Sequence, residues 1–202
     1  KHYTVLTEES DYYRSAIERD LDCMRSLGLK PNNTETEIFL TPAETNWAQA
    51  ELQKHGLNLK IPTILIHPTA GVAIKEWPID KFGKLLQMLN QKKNIQLLVL
   101  CTKAELSRVQ PLLRHLPNLV ILNELTLRQA MSIIKECALV IDNDSSPSHI
   151  AVSFGVPAIV LFSQSIRKIF CPYLENSKYY VFYNDVSCRE CELITCDDRI
   201  CL

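Results

Sequence analysis

The stretch Ala138-Leu139-Val140-Ile141-Asp142-Asn143-Asp144-Ser145-Ser146-Pro147-Ser148-His149 decides the fold. Ala138–Ile141 is apolar without alternation, which predicts a strand buried on both faces. The run then breaks into acids and serines. A serine followed by proline predicts a helix start, with Ser145 or Ser146 as the cap and Pro147 in the first turn. The helix so opened runs over 146–154 and stops at Gly155, just before Pro157. A buried strand passing through a short polar loop into a helix is the repeating unit of an α/β domain.

The same unit recurs on both sides. Upstream, strands are predicted at Thr63–His67, Ile95–Leu100 and Leu119–Leu122. The helices between them cover 79–90, 103–115 and 126–137. Thr102-Lys103-Ala104-Glu105 and Thr126-Leu127-Arg128-Gln129 read as capping boxes. Downstream, Ala158–Phe162 and Tyr179–Tyr183 read as strands, with a short helix at 165–170. The fold class expected is α/β, a Rossmann-like three-layer parallel sheet with helices on both sides. Before residue 58 there are helices only. One covers 11–27, has apolar residues at Tyr13, Ile17, Leu21, Met24 and Leu27, and ends at Gly28. A second opens on the capping box Thr41-Pro42-Ala43-Glu44 and closes at Gly56. The expected organisation is a helical arm over 1–57 and an α/β domain over 58–202 that ends in a cysteine-rich tail.

Composition limits the function. The chain has 202 residues, 22 basic and 23 acidic, for a net charge of −1. With no basic surplus to neutralise phosphates, non-specific nucleic-acid binding is excluded. No run of about 18 apolar residues is present to cross a membrane as a helix. Lys1-His2-Tyr3-Thr4 carries no signal-peptide core, and a chain opening on Lys reads as a processed or shortened piece of a longer protein. Glycine is scarce, 5 in all, so each has a place; Gly28, Gly56 and Gly155 read as helix stops. Cysteine is abundant, 8 in all. Cys23, Cys101 and Cys137 fall in apolar patterns and are expected in the core. Cys188, Cys191, Cys196 and Cys201 are compatible with a metal site, with disulfides or with free thiols.

Ligands of an open parallel sheet bind at the carboxyl ends of its strands. Three strand-end loops carry suitable chemistry. His67-Pro68-Thr69-Ala70-Gly71 offers a hydroxyl and open backbone N–H groups, and Lys75 a cation, to a phosphate. Asp142–His149 places acids, serines and a helix N-terminus together, an anion-binding arrangement richer than plain capping requires. Phe162-Ser163-Gln164-Ser165 is placed to line the same crevice or to cap a further helix. No G-x-S-x-G elbow, Walker A loop or H-E-x-x-H motif occurs.

In this order the motifs resemble glycosyltransferase family 9, the ADP-heptose:lipopolysaccharide heptosyltransferases. His67–Gly71 followed by Lys75-Glu76-Trp77-Pro78 resembles the family's "HPG/HAT … K-x-W-P" segment. Asn143–Ala151 resembles its signature "N-D-[ST]-G-P-M-H-L-A", and Gly155-Val156-Pro157 with the strand to Phe162 resembles "G-x-P-x-[IV]-x-L-F-G". The resemblance covers roughly 60–202, and the helix before Gly28 resembles the interdomain arm. It implies the C-terminal, donor-binding domain of a two-domain GT-B enzyme. Thr69 would contact the donor's diphosphate and Lys75 would neutralise it, stabilising the leaving group. Glu105 would take the ribose and Asp144 the heptose hydroxyls. Ser145 and Ser146 would bind phosphate oxygens through their backbone, with His149 supporting the loop.

The resemblance further implies inverting, metal-independent transfer of heptose from ADP-heptose, with no cofactor required. The acceptor would be a lipid-linked saccharide held by a missing N-terminal domain that also carries the catalytic base. The setting would be the bacterial cytoplasm, at the inner face of the inner membrane. A structural metal at Cys188, Cys191, Cys196 and Cys201 is the one candidate metal site. Ser146 stands where the signature has glycine, and Ser148 where it has methionine. These departures leave a second expectation, a binding module that has kept the fold and lost transfer.

Overall fold

The structure, a computed structural model, describes residues 7, 13–171, 178–188 and 190–202. Asp11 and the segment Lys1–Thr4 lie outside the described residues, but the helix predicted from Asp11 begins only at Ala16: Ser15 caps it by accepting the Glu18 N–H, and Tyr13 lies in a turn before it. Six strands form one sheet: β1 (Thr63–His67), β2 (Gln96–Leu100), β3 (Val120–Leu122), β4 (Leu139–Asn143), β5 (Ala158–Phe162) and β6 (Tyr179–Tyr183). Their order is β3-β2-β1-β4-β5-β6 and every pairing is parallel. The predicted α/β parallel sheet is therefore present.

Successive residues of β1 and β2 point to opposite faces, and both faces are covered, which explains the unbroken apolar runs. Leu65, Leu98, Leu100 and Val140 pack with Ala48, Leu52, Ile133, Ile134 and Ala151 on one face. These come from helices α2 (Pro42–Lys54), α5 (Leu127–Lys135) and α6 (Ser146–Ser153). Ile64, Ile66, Leu97 and Val99 pack with Phe82, Leu86, Val109 and Leu112 on the other, against α3 (Ile79–Asn90), α4 (Leu106–Val109) and the 3₁₀ turn that follows it. A further helix, α1 (Ala16–Ser26), precedes them, and α7 (Arg167–Phe170) follows β5.

Local signals mostly decide where elements begin. Thr41 and Thr126 form capping boxes with Glu44 and Gln129. Gly28, Gly56 and Gly155 hold φ of 79°, 81° and 69°, the left-handed turn in which a side chain would be strained. Three further expectations change. The helix predicted over 103–115 is broken into a 3₁₀ turn (Lys103–Glu105), α4 and a second 3₁₀ turn (Gln110–Arg114). Pro111 has no N–H for a helical bond and crowds the carbonyl one turn earlier, so an α-helix cannot run through it. Cys23 is exposed, not core. It sits on α1, which buries no residue; Met24 and Leu27 remain 42% and 63% exposed. Finally, β4 runs two residues beyond the apolar run, to Asn143, and carries Asp142 and Asn143 into the centre of the sheet.

Candidate functional site

Strand β1 pairs with β2 on one side and β4 on the other. The chain leaves β1 and β4 in opposite directions, so their carboxyl ends open a crevice. The β1 loop and the β4–α6 turn meet there. His67 and Asp142 are register partners, and the Asp142 Oδ1 lies 2.9 Å from His67 Nδ1. Its other oxygen accepts the Ser148 N–H at 2.9 Å. This explains why Ser145, in the N-cap position, makes no side-chain cap bond: the buried Asp142 takes an orphan N–H of α6 from beneath. The Ser148 hydroxyl donates to the Ser145 carbonyl at 2.7 Å.

Two further ties join the loops. Asn143 accepts the Trp77 N–H at 3.0 Å and donates to the Thr69 carbonyl at 3.4 Å. The Lys75 ammonium meets Asp144 at 2.6 Å. Asp142 and Asn143 are wholly buried, and Thr69 is 1% exposed. The Thr69 hydroxyl lies 3.2 Å from His67 Nε2.

Beyond β2, Glu105 accepts the Thr102 N–H and hydroxyl at 2.8 and 2.7 Å. Arg108 bridges Glu105, at 3.3 Å, and Glu76. Glu76 also accepts the Ala70 N–H at 3.0 Å. Burial works to raise the Glu105 pKa, but Thr102, the His67 charge and the Thr69 hydroxyl outweigh it and hold the carboxyl below its usual value. For His67, burial works to lower the pKa and the Asp142 bond outweighs it, so the imidazole is raised. Complete burial raises the Asp142 carboxyl against the pull of His67 and Ser148. The two directions agree: the pair holds its proton tightly. Burial lowers His149 and favours its neutral form.

The predicted residues Thr69, Lys75, Asp144, Ser145, Ser146 and His149 therefore lie on the two joined loops, and Glu105 reaches them from a third. Ser145 is half-buried and Ser146 exposed. Ser146 is the first residue of α6. The described non-glycine residues with left-handed backbone are Glu190, Glu192 and Arg199, so Ser146 needs no glycine-like φ. Sequence reading gave His67, Asp142, Asn143, Glu76 and Arg108 no role of their own. The signal that finds the first three is strand order, which places the ends of β1 and β4 side by side.

The third loop meets the tail. Gln164 donates to the Leu193 carbonyl at 3.2 Å, and its own carbonyl accepts the Glu192 N–H at 3.3 Å. The tail then returns to the β1 loop, where Arg199 donates to the carbonyls of Ala73 and Glu76 at 3.3 and 3.5 Å. Cys188 and Cys191 are exposed, Cys196 and Cys201 half-buried, and all four are free thiols. Among the described residues no three His, Cys, Asp or Glu side chains converge on a metal-binding arrangement, so the tail cysteines are not brought together as a ligand set. An apolar cavity of about 550 Å³ lies under Trp77 against β4, β5 and β6, with Cys201 and Leu202 in its wall. It lacks the polar groups of the strand-end crevice.

The sequence matches the family model described as "Glycosyltransferase family 9 (heptosyltransferase)" over residues 6–198. It is 28% identical over 165 residues to lipopolysaccharide heptosyltransferase 3 of Escherichia coli K12, covering 79% of this chain and 47% of that protein. Among solved structures, the fold is similar to a family 9 glycosyltransferase from Veillonella parvula, with a TM-score of 0.76 at 22% identity over 87% of this chain and 50% of that one. It is also similar to E. coli ADP-heptose LPS heptosyltransferase II, with a TM-score of 0.66 at 19% identity over 80% and 49%. The chain spans about half the length of these proteins.

Proposed function

The chain belongs to glycosyltransferase family 9, the heptosyltransferase family, and from that premise we propose that it is the nucleotide-sugar-binding half of a GT-B lipopolysaccharide-core glycosyltransferase whose donor is ADP-heptose. The observation that carries the reading is the Lys75–Asp144 pair at 2.6 Å, set beside the N-terminus of α6 where the β1 and β4 loops are joined. A cation, a carboxylate and a helix N-terminus at one crevice suit a ligand that presents both an anion and sugar hydroxyls.

In this reading the Thr69 loop and Lys75 take the diphosphate, with Ser145 and Ser146 offering backbone N–H groups from α6. Asp144 accepts from the sugar hydroxyls and Glu105 from the ribose, while His149 supports the turn. As the glycosidic bond breaks, charge grows on the departing diphosphate. Lys75 and the α6 terminus stabilise it without calling on a metal. Lys75 must then release Asp144, so donor binding exchanges one ion pair for another and leaves Asp144 free for the sugar. The acceptor hydroxyl needs a base to take its proton as the new bond forms with inversion. That base and the lipid-linked acceptor belong, in this reading, to the part of the family's length that these 202 residues do not span. Residues 1–57 act as the arm between the halves and 58–202 as the donor domain, at the cytoplasmic face of a bacterial inner membrane.

Calorimetry with ADP-heptose and ADP tests the reading. Binding is expected to weaken about 10- to 100-fold in Lys75→Ala and in Asp144→Ala, the scale of a lost charge-assisted contact. Absence of ADP-heptose binding by the unaltered chain sinks it. Exposed Ser146 at the α6 start favours a second reading, a module whose added hydroxymethyl crowds the donor. Under that reading Ser146→Gly strengthens ADP-heptose binding; unchanged affinity rules the crowding out.

A further inference from the structure

We propose that Phe170 is a sugar-binding residue: its ring face and the Asp144 carboxylate border one space, held by the Lys75 ammonium, that takes the sugar ring of the donor once Lys75 turns to the diphosphate. The proposal rests on the donor reading and deepens it, since it assigns to the sugar a residue that lies outside the family-like motifs.

Phe170 reaches the crevice on a pinned loop. β4 and β5 pair with Asn143 opposite Leu161, so the loops that carry Asp144 and Phe170 leave adjacent strands at the same end of the sheet. The β5 loop is tied down along its length. Ser163, Gln164 and Ser165 are buried. The Ser165 hydroxyl donates to the Gln164 side-chain carbonyl at 2.9 Å, and the Gln164 amide donates to the Leu193 carbonyl at 3.2 Å. In α7, Ile169 is wholly buried and anchors the turn. Phe170, the next residue, is 39% exposed. An open aromatic ring on a fixed backbone meets a ligand with little ordering cost.

The Lys75 ammonium marks the space between ring and carboxylate. It stands over the Phe170 ring, 5.9 Å from the centroid, while it pairs with Asp144 at 2.6 Å. Ring face and carboxylate therefore border one point from two different loops. The negative face of the ring attracts the cation and offers nothing to a diphosphate. A sugar ring suits both walls at once. Its hydroxyls donate to the carboxylate, which only accepts. The C–H bonds of one sugar face pack on the aromatic face and remove apolar area from water on both sides. Adenine is the donor's other stacking group, and strand order sets it elsewhere. Glu105, which takes the ribose in the donor reading, follows β2, whereas Phe170 follows β5, with β1 and β4 between them.

Calorimetry on the whole 202-residue chain compares ADP-heptose with ADP in Phe170→Leu, which keeps an apolar side chain and removes the ring face. Binding of ADP-heptose should weaken about 3- to 10-fold, and binding of ADP by less than about 2-fold. Phe170→Tyr, which keeps the face, should bind both ligands as the unaltered chain does. Equal loss of the two ligands in Phe170→Leu would assign the ring to the nucleotide and overturn the proposal. Unchanged ADP-heptose affinity in Phe170→Leu, or Phe170→Tyr behaving like Phe170→Leu, overturns it as well. Proton NMR of ADP-heptose on the unaltered chain supplies a test that needs no variant to fold. Heptose C–H resonances should move upfield on binding, the signature of protons above an aromatic face. ADP-heptose that binds without such a shift overturns this proposal alone. Absence of binding of both ADP-heptose and ADP overturns the donor reading, and this proposal with it.

Discussion

Asp142 is the residue on which the crevice turns. It is wholly buried and uses both oxygens, one on His67 and one on the Ser148 N–H. Asp142→Ala removes one side of a buried polar pair and orphans two donors. It should destabilise the chain by about 3–5 kcal/mol in urea unfolding. A loss below about 1 kcal/mol would mean that water repairs the gap. The pH dependence has a definite sign. His67 and Asp142 are both raised, so the folded state holds protons that the unfolded chain has released. The Asp142 share of that stability is full below its ordinary 3.8 and is lost as pH rises through its raised midpoint. The His67 share is full below the ordinary 6.5 and is lost as pH rises through the folded His67 midpoint. In Asp142→Ala this neutral-to-alkaline decline should flatten.

At the scale of elements, α2 is part of the core although it precedes the first strand. Ala48 and Leu52 are buried against α5 and the sheet. Leu52→Ala should cost about 2–5 kcal/mol in chemical unfolding; a surface-like cost below 0.5 kcal/mol would show that α2 is an appendage. A second tie is electrostatic. Glu44, in the first turn of α2, pairs with Arg128 on α5 at 2.7 Å. Arg128 and then Thr41 hold its carboxyl down to about 2. This is the depressed-carboxylate case. Its contribution is complete above the ordinary value of 4.5 and is lost as pH falls toward 2. Arg128→Ala should return the Glu44 midpoint most of the way to 4.5 by carboxyl NMR, with the remaining depression due to Thr41. By contrast α1 buries nothing. Arg14, Glu18, Asp22 and Arg25 link along its surface, contacts of the exposed kind that stabilise little.

For the whole molecule, the thiols divide by depth. Burial raises Cys101 to about 11, and Cys137 and Cys171 to about 12. Cys23, Cys188 and Cys191 are exposed. Iodoacetamide at pH 8, followed by mass spectrometry, should label those three rapidly and the buried three only on unfolding. Protection of Cys188 and Cys191 that a chelator abolishes would instead reveal a metal at the tail. The division of labour predicts that the 202 residues alone release no transferred heptose from ADP-heptose and acceptor. Robust turnover would place a catalytic base within this chain.

Much of this was legible in one dimension. Strand positions followed from apolar runs that need cover on both faces, and helix starts from threonine three residues before Glu or Gln. Such signals are local, acting within a turn or across a strand's own width. The motif loops around Lys75 and Asp144 were legible for the same reason, since each polar cluster follows directly on a buried strand. The sheet decided what those loops do to one another. His67 and Asp142 stand 75 residues apart and meet because β4 inserts beside β1, not beside β3, its predecessor in the chain. Pairing of that kind depends on crossovers and packing over the whole domain, and no spacing along the chain encodes it. The sequence by itself determined which polar clusters follow directly on buried strands. Tertiary structure decided that Lys75 reaches Asp144, that Asp142 caps α6 from below, and that among the described residues no three tail cysteines converge.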